Sequence, residues 1–265
     1  MGPLSMSGDF VHCLGVGSGW PSAVHHYAAH LIRLDGGTIL CDCGEPAAAQ
    51  LKRSGLSFEE ADAVWISHMH VDHFSGLFAL LQSAWLEGRA RPLSVHMPGH
   101  AIEAVKRMLV QGLLPPELLP FPLRLRPIRA GETVLSGTIR IAAWRTSHLD
   151  ELKATYPKEF PRDAEAFCFL FEAGGKRVGY SGDIGRPEDL RPLLLRSPDL
   201  LLCETAHCEP EALLSFLKLF PVHRVALVHL GREQAARPEA LRRLADKTLG
   251  PGRCLIPQEG ERIEL

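Results

Sequence analysis

Short apolar runs set the pattern of the first third of the chain. Residues 10–16 (FVHCLGV), 30–34 (HLIRL) and 38–42 (TILCD) read as strands, and Asp35-Gly36-Gly37 between the last two is a strong hairpin signal. Residues 46–55 (PAAAQLKRSG) open on proline and close on glycine, the punctuation of a short helix. The run AVWIS at 63–67 follows as a buried strand. From His73 to about Glu87, Phe74, Leu77, Phe78, Leu80, Leu81 and Trp85 recur at helical spacing and stop before Gly88, which predicts one amphipathic helix.

Further on, 93–99 (LSVHMPG) reads as strand and turn, and 101–112 (AIEAVKRMLVQG) as a helix closed by glycine. Strands are predicted within 122–128, 138–146, 166–174 and 176–183. The last quarter alternates a strand in 198–204 (PDLLLCE), a helix near 210–220, a strand at 224–230 (RVALVHL), a helix near 237–247 and a final strand at 261–265. No fixed-period repeat, low-complexity tract or linker interrupts this order. The expectation is one α/β domain over 1–265, a four-layer αββα sandwich in which helices enclose two sheets. Residues 1–5 are set aside as a candidate remnant ahead of a native Met6.

Metal-competent side chains concentrate in His68-Met69-His70-Val71-Asp72-His73, where the strand at 63–67 gives way to a helix. On an extended segment His68 and His70 point to the same side, while Asp72 and His73 lie across the turn. That spacing makes two adjacent half-sites. The glutamate that one-zinc proteases place between their histidines is absent.

HxHxDH after an apolar strand is the signature of the metallo-β-lactamase superfamily, and the chain resembles that superfamily over most of its length. It looks closest to the ribonuclease Z-like branch. Leu14-Gly15-Val16-Gly17-Ser18 with Pro21 resembles that branch's N-terminal glycine loop, and Cys41-Asp42-Cys43-Gly44-Glu45 resembles its aspartate-glycine-glutamate turn. The resemblance implies the metallo-β-lactamase fold and three later ligands at strand ends, matched in order by His148, Asp183 and His229. It implies that His68, His70 and His148 take one divalent ion and Asp72, His73 and His229 a second, with Asp183 bridging. Asp72 counts as catalytic as well as metal-binding. Such donors suit zinc, the expected metal, and also manganese or iron.

Two cations about 3.5–4 Å apart would take a proton from a bridging water near neutral pH and stabilise charge on the attacking and leaving oxygens. Asp42 is expected behind the ligands, accepting a hydrogen bond from a ligand histidine, or else as a turn residue beside Gly44. Glu204, with His207 three residues on, resembles the ribonuclease Z acid pair, in which the glutamate orients a histidine that protonates the leaving oxygen. The plainer reading of the pair is a solvated helix start.

The pattern also departs from the family. Residues 149–182 are too short for the long basic arm with which ribonuclease Z grips tRNA. Within them Asp150, Glu151, Glu159, Asp163 and Glu165 outnumber Lys153, Lys158 and Arg162, so phosphate attraction is weak, and 150–163 reads as a loop. Pro46-Ala47 after Glu45 and Leu230-Gly231 after His229 imply a differently shaped pocket. Arg124, Arg126 and Arg129 read as a strand's wet face, and His96, His100 and His223 as scaffold.

Composition adjusts this picture at its margins. With 46% hydrophobic and 23% charged residues the chain can bury a full core, and a net charge of −2 supplies no global attraction to nucleic acid. Seven cysteines without small-scaffold spacing suggest a reduced, cytoplasmic setting. No apolar run approaches the ~20 residues of a membrane span, so no membrane partner is expected. The expected activity is hydrolysis of a small phosphodiester or a short single-stranded nucleic acid. Lactone or carboxylic ester hydrolysis is the alternative, tRNA 3′-processing a lesser one, and family likeness allows a homodimer.

Overall fold

A computed structural model describes residues 7–265, and the reading of residues 1–5 as a remnant lies outside them. The predicted hairpin forms. Asp35 and Gly36 take positive φ, 47° and 78°, the left-handed pair that a tight turn needs, and Leu34 faces Gly37 across it. The first half runs β1 (Phe10–Gly15), β2 (Ala29–Leu34), β3 (Gly37–Cys41), α1 (Ala47–Arg53), β4 (Ala63–Trp65), α2 (Val71–Phe74), α3 (Leu77–Leu86), β5 (Leu93–Pro98), α4 (Ile102–Gln111) and β6 (Leu123–Ile128). The second runs β7 (Thr133–Ser136), β8 (Ile139–Thr146), α5 (Asp150–Thr155), β9 (Ala166–Ala173), β10 (Lys176–Tyr180), α6 (Arg191–Leu194), β11 (Leu200–Cys203), α7 (Pro210–Leu217), β12 (Arg224–Leu227), α8 (Arg232–Ala236), α9 (Pro238–Leu249), β13 (Cys254–Leu255) and β14 (Arg262–Glu264).

Two sheets of seven strands result, ordered β14-β1-β2-β3-β4-β5-β6 and β13-β12-β11-β10-β9-β8-β7. Each is antiparallel from its early strands and then parallel, from β3 to β6 in one and from β10 to β13 in the other. Parallel strands are buried on both faces, which explains continuous apolar runs such as Leu200–Cys203.

Three apolar layers hold the sheets. Ile32, Ile39, Trp65, Ile141 and Phe169 fill the space between them. Leu51, Leu77, Leu81 and Leu109 pack α1, α3 and α4 on the outer face of the first sheet, and Leu193, Leu213, Leu217 and Leu241 pack α6, α7 and α9 on the second. Each such side chain contributes about 1.5–3 kcal/mol by leaving water. The αββα sandwich is therefore the observed architecture.

Two local differences matter. The helix predicted from His73 to Glu87 is broken at Ser75-Gly76. Gly76 N donates to Cys43 O at 2.9 Å, and a Cβ on Gly76 would lie 2.8 Å from Gly44 O, so the turn after β3 occupies the room a continuous helix needs. The segment read as a loop from 150 opens instead with α5, whose first turn carries Asp150 and Glu151 where the helix dipole favours negative charge.

Candidate metal centre

Every parallel strand near the middle of either sheet ends in a polar residue at the same edge of the sandwich. Asp42 follows β3, His68 lies just after β4, Asp183 after β10, Glu204 after β11 and His229 after β12; His148 lies just after antiparallel β8. Carboxyl ends of parallel strands are where open α/β sheets build ligand sites. His70 caps α2, which brings Asp72 and His73 round to the same point. The loop after β1 closes in from above, where a Cβ on Gly19 would lie 3.0 Å from Asp72 Oδ2.

The six other sequence-predicted ligand positions gather around the seventh, Asp183, and its two oxygens face different partners. Oδ2 lies 3.5 Å from His68 Nε2 and 3.6 Å from His148 Nε2. His70 Nδ1 completes that set, 3.0 Å from His68 Nε2 and 3.1 Å from His148 Nε2. Oδ1 lies 3.3 Å from His73 Nε2 and 3.5 Å from His229 Nε2, each of which is 3.5–3.6 Å from Asp72 Oδ2. Both groupings have the spacing of donors that could share one cation.

Behind the second set, the buried Asp42 carboxylate accepts four hydrogen bonds: from Ser67 N (2.6 Å), Ser67 Oγ (2.8 Å), Tyr180 Oη (2.6 Å) and His73 Nδ1 (2.6 Å). The last leaves the His73 Nε2 lone pair aimed into the site. Ser67 Oγ gives its proton to Asp42, so it accepts from His68 Nδ1 at 3.0 Å and turns His68 Nε2 into an acceptor too. Asp42 and His229 sit in left-handed backbone, φ 54° and 49°, a cost of order 1 kcal/mol or more that packing must hold in place.

Charge follows the same plan. Burial lowers the His68 imidazole well below its ordinary value, lowers His70, and takes His148 to about 3, against the pull of Asp183 on each. These rings are neutral at pH 7, the form that binds metal. Burial alone would also lower His73, but Asp183 and Asp42 together hold it well above the usual range. Burial likewise opposes ionisation of Asp183, yet the neighbouring His229, His73 and His68 hold it well below. Two carboxylates thus demand positive charge at His73 Nε2, either a proton or a metal ion. His73 Nε2 and Asp183 Oδ1 are buried without a hydrogen-bond partner among the described residues. Orphaned atoms of that kind, set among neutral imidazoles, fit a cation.

A β-lactamase superfamily domain matches residues 37–251. The chain belongs to the metallo-β-lactamase superfamily. Within this superfamily it is ribonuclease Z-like: it is 25% identical to a ribonuclease Z of Natronomonas pharaonis over 95% of this chain and 96% of that one. The fold is shared with the metallo-β-lactamase fold protein YhfI of Bacillus subtilis (TM-score 0.78, 19% identity, 97% of this chain and 98% of that one). It is shared also with the short form of human tRNase Z (TM-score 0.73, 20% identity, 96% and 98%).

Glu204 and His207 sit beside this cluster. Glu204 is fixed by the backbone N–H groups of Ile184, Ala206 and His207, and its oxygens lie 3.0–3.1 Å from His207 Nδ1. Burial lowers the His207 imidazole, but the Glu204 hydrogen bond and charge, then Asp183, outweigh it and raise the group to about 9. With 36% of its side chain exposed, His207 faces a cleft of about 320 Å³ that His70, Asp72, Asp183 and His229 also line.

Sequence reasoning missed Ser67, Tyr180 and Arg232, the last of which lines the cleft. Ser67 and Arg232 had a signal in their places, directly before His68 and three residues after His229; Tyr180 had none, because its partner Asp42 is remote in sequence. His96 is buried and stacked on Trp65, Arg124 and Arg126 alternate outward on β6, and His223 is exposed, so all four are away from the cluster. Among the described residues no helix is long and apolar enough to cross a membrane.

Proposed function

We propose that this protein is a dinuclear metal-dependent phosphodiesterase acting on a small phosphodiester or a short single-stranded nucleic acid. The observation that carries this reading is the division of Asp183, one oxygen toward His68, His70 and His148, the other toward Asp72, His73 and His229. Ligand bonds of about 2.0–2.1 Å in a tetrahedron put neighbouring donors ~3.3 Å apart. The spacings of 3.0–3.6 Å bracket that value. The donors are nitrogen and oxygen throughout, which favours zinc and admits manganese or iron. When bound, two such ions supply Lewis acidity and lower the pKa of water toward neutrality.

The chain's own groups do the rest. Asp42 takes the Nδ1 hydrogen bond of His73, and through Ser67 that of His68, so that Nε2 of each ring is the atom offered to a metal ion. Glu204 accepts from His207 Nδ1, which leaves Nε2 to carry the proton delivered to the leaving oxygen. A positioned acid of this kind serves an alkoxide leaving group, which departs poorly unprotonated. The ribonuclease Z likeness favours phosphorus over carbon as the centre attacked.

Elemental analysis of the purified protein, paired with turnover of bis-p-nitrophenyl phosphate and of a simple lactone, tests the reading. Near two metals per chain with phosphodiester turnover is expected. Two metals with lactone turnover alone would select carboxylic ester hydrolysis instead, and no metal after reconstitution would undo the proposal.

A further inference from the structure

A second cavity, about 220 Å³, opens beside the cleft and shares Ser18, Trp20 and Arg232 with it. Its walls are mostly apolar: Val16, Leu227, Leu230, Pro238, Ile256 and Pro257. An apolar cavity of about 150 Å³ holds a benzene ring, so this one has room for a single aromatic group. At the shared mouth the Arg232 guanidinium stacks 4.5 Å above the Trp20 ring. Arg232 makes no hydrogen bond or ion pair among the described residues, and of those lining the cleft it is the one Lys or Arg. Stacking occupies the face of a guanidinium and leaves its N–H edge free to bind an anion.

We propose that this cavity seats an uncharged aromatic group carried on the substrate's phosphorus while Arg232 pairs a phosphoryl oxygen at its mouth. The inference rests on the phosphodiesterase reading and narrows the substrate to an aryl or comparably planar phosphodiester. Although Ser22, His25 and Gln258 also line it, a mostly apolar wall favours a neutral ring by the area it takes from water and disfavours a charged group by desolvation. His207 does not line the cavity. The leaving oxygen therefore goes to His207, and the group in the cavity is the one retained on phosphorus.

Methyl 4-nitrophenyl phosphate and phenyl 4-nitrophenyl phosphate share a leaving group and differ in the retained one. KM for the phenyl diester is expected to be at least about tenfold lower. Ala235→Phe, which fills the cavity from α8, should bring the two KM values together, and Arg232→Gln should raise both alike. Equal KM values in the unmodified enzyme overturn the cavity assignment and leave the phosphodiesterase reading standing. Binding is read independently by ¹⁵N NMR of the four tryptophan indoles, with Trp20 identified by Trp20→Phe. Phenylphosphonate should shift the Trp20 signal well beyond the smaller shift that methylphosphonate causes by pairing with Arg232, and Ala235→Phe should bring the two shifts together. If neither diester turns over, that titration still decides: the larger shift with the phenyl compound sustains the cavity assignment, and equal shifts overturn it.

Discussion

The two donor sets around Asp183 contain the same number of groups and are held by different means. His68, His70 and His148 are readied by burial, the leading cause of their lowered basicity, and the one hydroxyl behind His68 is Ser67 Oγ. The other set leans on Asp42, which holds His73 from behind by one hydrogen bond and is itself held by three from Ser67 and Tyr180, and on left-handed backbone at Asp42 and His229. One set is prepared by exclusion of water and the other by a carboxylate. They should therefore answer to different substitutions.

The substitution expected to erase the contrast is Asp183→Ala, since that side chain serves both sets. Metal content should fall well below two per chain and turnover to background, as judged by elemental analysis and the diester assay together; retention of both metals would show that the sets do not depend on a shared carboxylate. His207→Gln probes the site without entering either set. Metal content should hold while hydrolysis of an alkyl diester falls by about 10²–10⁴-fold, the usual share of a general acid. A nitrophenyl ester, whose leaving group needs no proton, should lose far less. Loss of metal instead would place His207 among the ligands, with Asp183 and His229 as its partners.

Asp42→Asn should separate the sets directly. An orienting partner of a ligand histidine is worth roughly 10–100-fold in metal affinity. Calorimetric titration of metal-free protein should then show one of two binding steps weakened by that factor and the other nearly unchanged. Equal weakening of both would mean that Ser67 carries the effect of Asp42 across to His68 as strongly as to His73.

How much of this was legible in the sequence depends on the range of the contact. HMHVDH declares itself because four of six adjacent residues are side chains able to bind metal, and His148, Asp183 and His229 become readable as an ordered series at strand ends. The sandwich was readable from strand and helix periodicity in both halves. The break at Gly76 was invisible because Phe74, Leu77 and Phe78 keep helical spacing across it, while its cause is backbone 32 and more positions earlier. Tyr180 reaches Asp42 across 138 positions, and a tyrosine at the end of a buried strand looks the same whether its hydroxyl has a partner or not. The apolar cavity joins the loop after β1 to α8 and to the segment after β13, an assembly that no local pattern encodes.

A buried histidine outside the cluster sharpens the comparison by serving as its control. His96 stacks on Trp65 with ring centroids 4.3 Å apart, and burial, aided by Arg126, lowers it from the usual 6.5 to about 4. Its folded-state value lies below its unfolded one, so as pH falls the unfolded chain takes up the proton first. Stability is thus lost from about pH 6.5 down to about pH 4, and between pH 7 and 5.5 the loss comes to about 1 kcal/mol. His96→Phe keeps an aromatic ring against Trp65 and removes the titration. Urea unfolding at the two pH values, with metal content matched, should show a drop smaller by that amount in the variant. An identical drop in both proteins would show that burial of the His96 imidazole does not set the acid sensitivity, and would leave it to the other buried histidines, His30 and those around Asp183 among them.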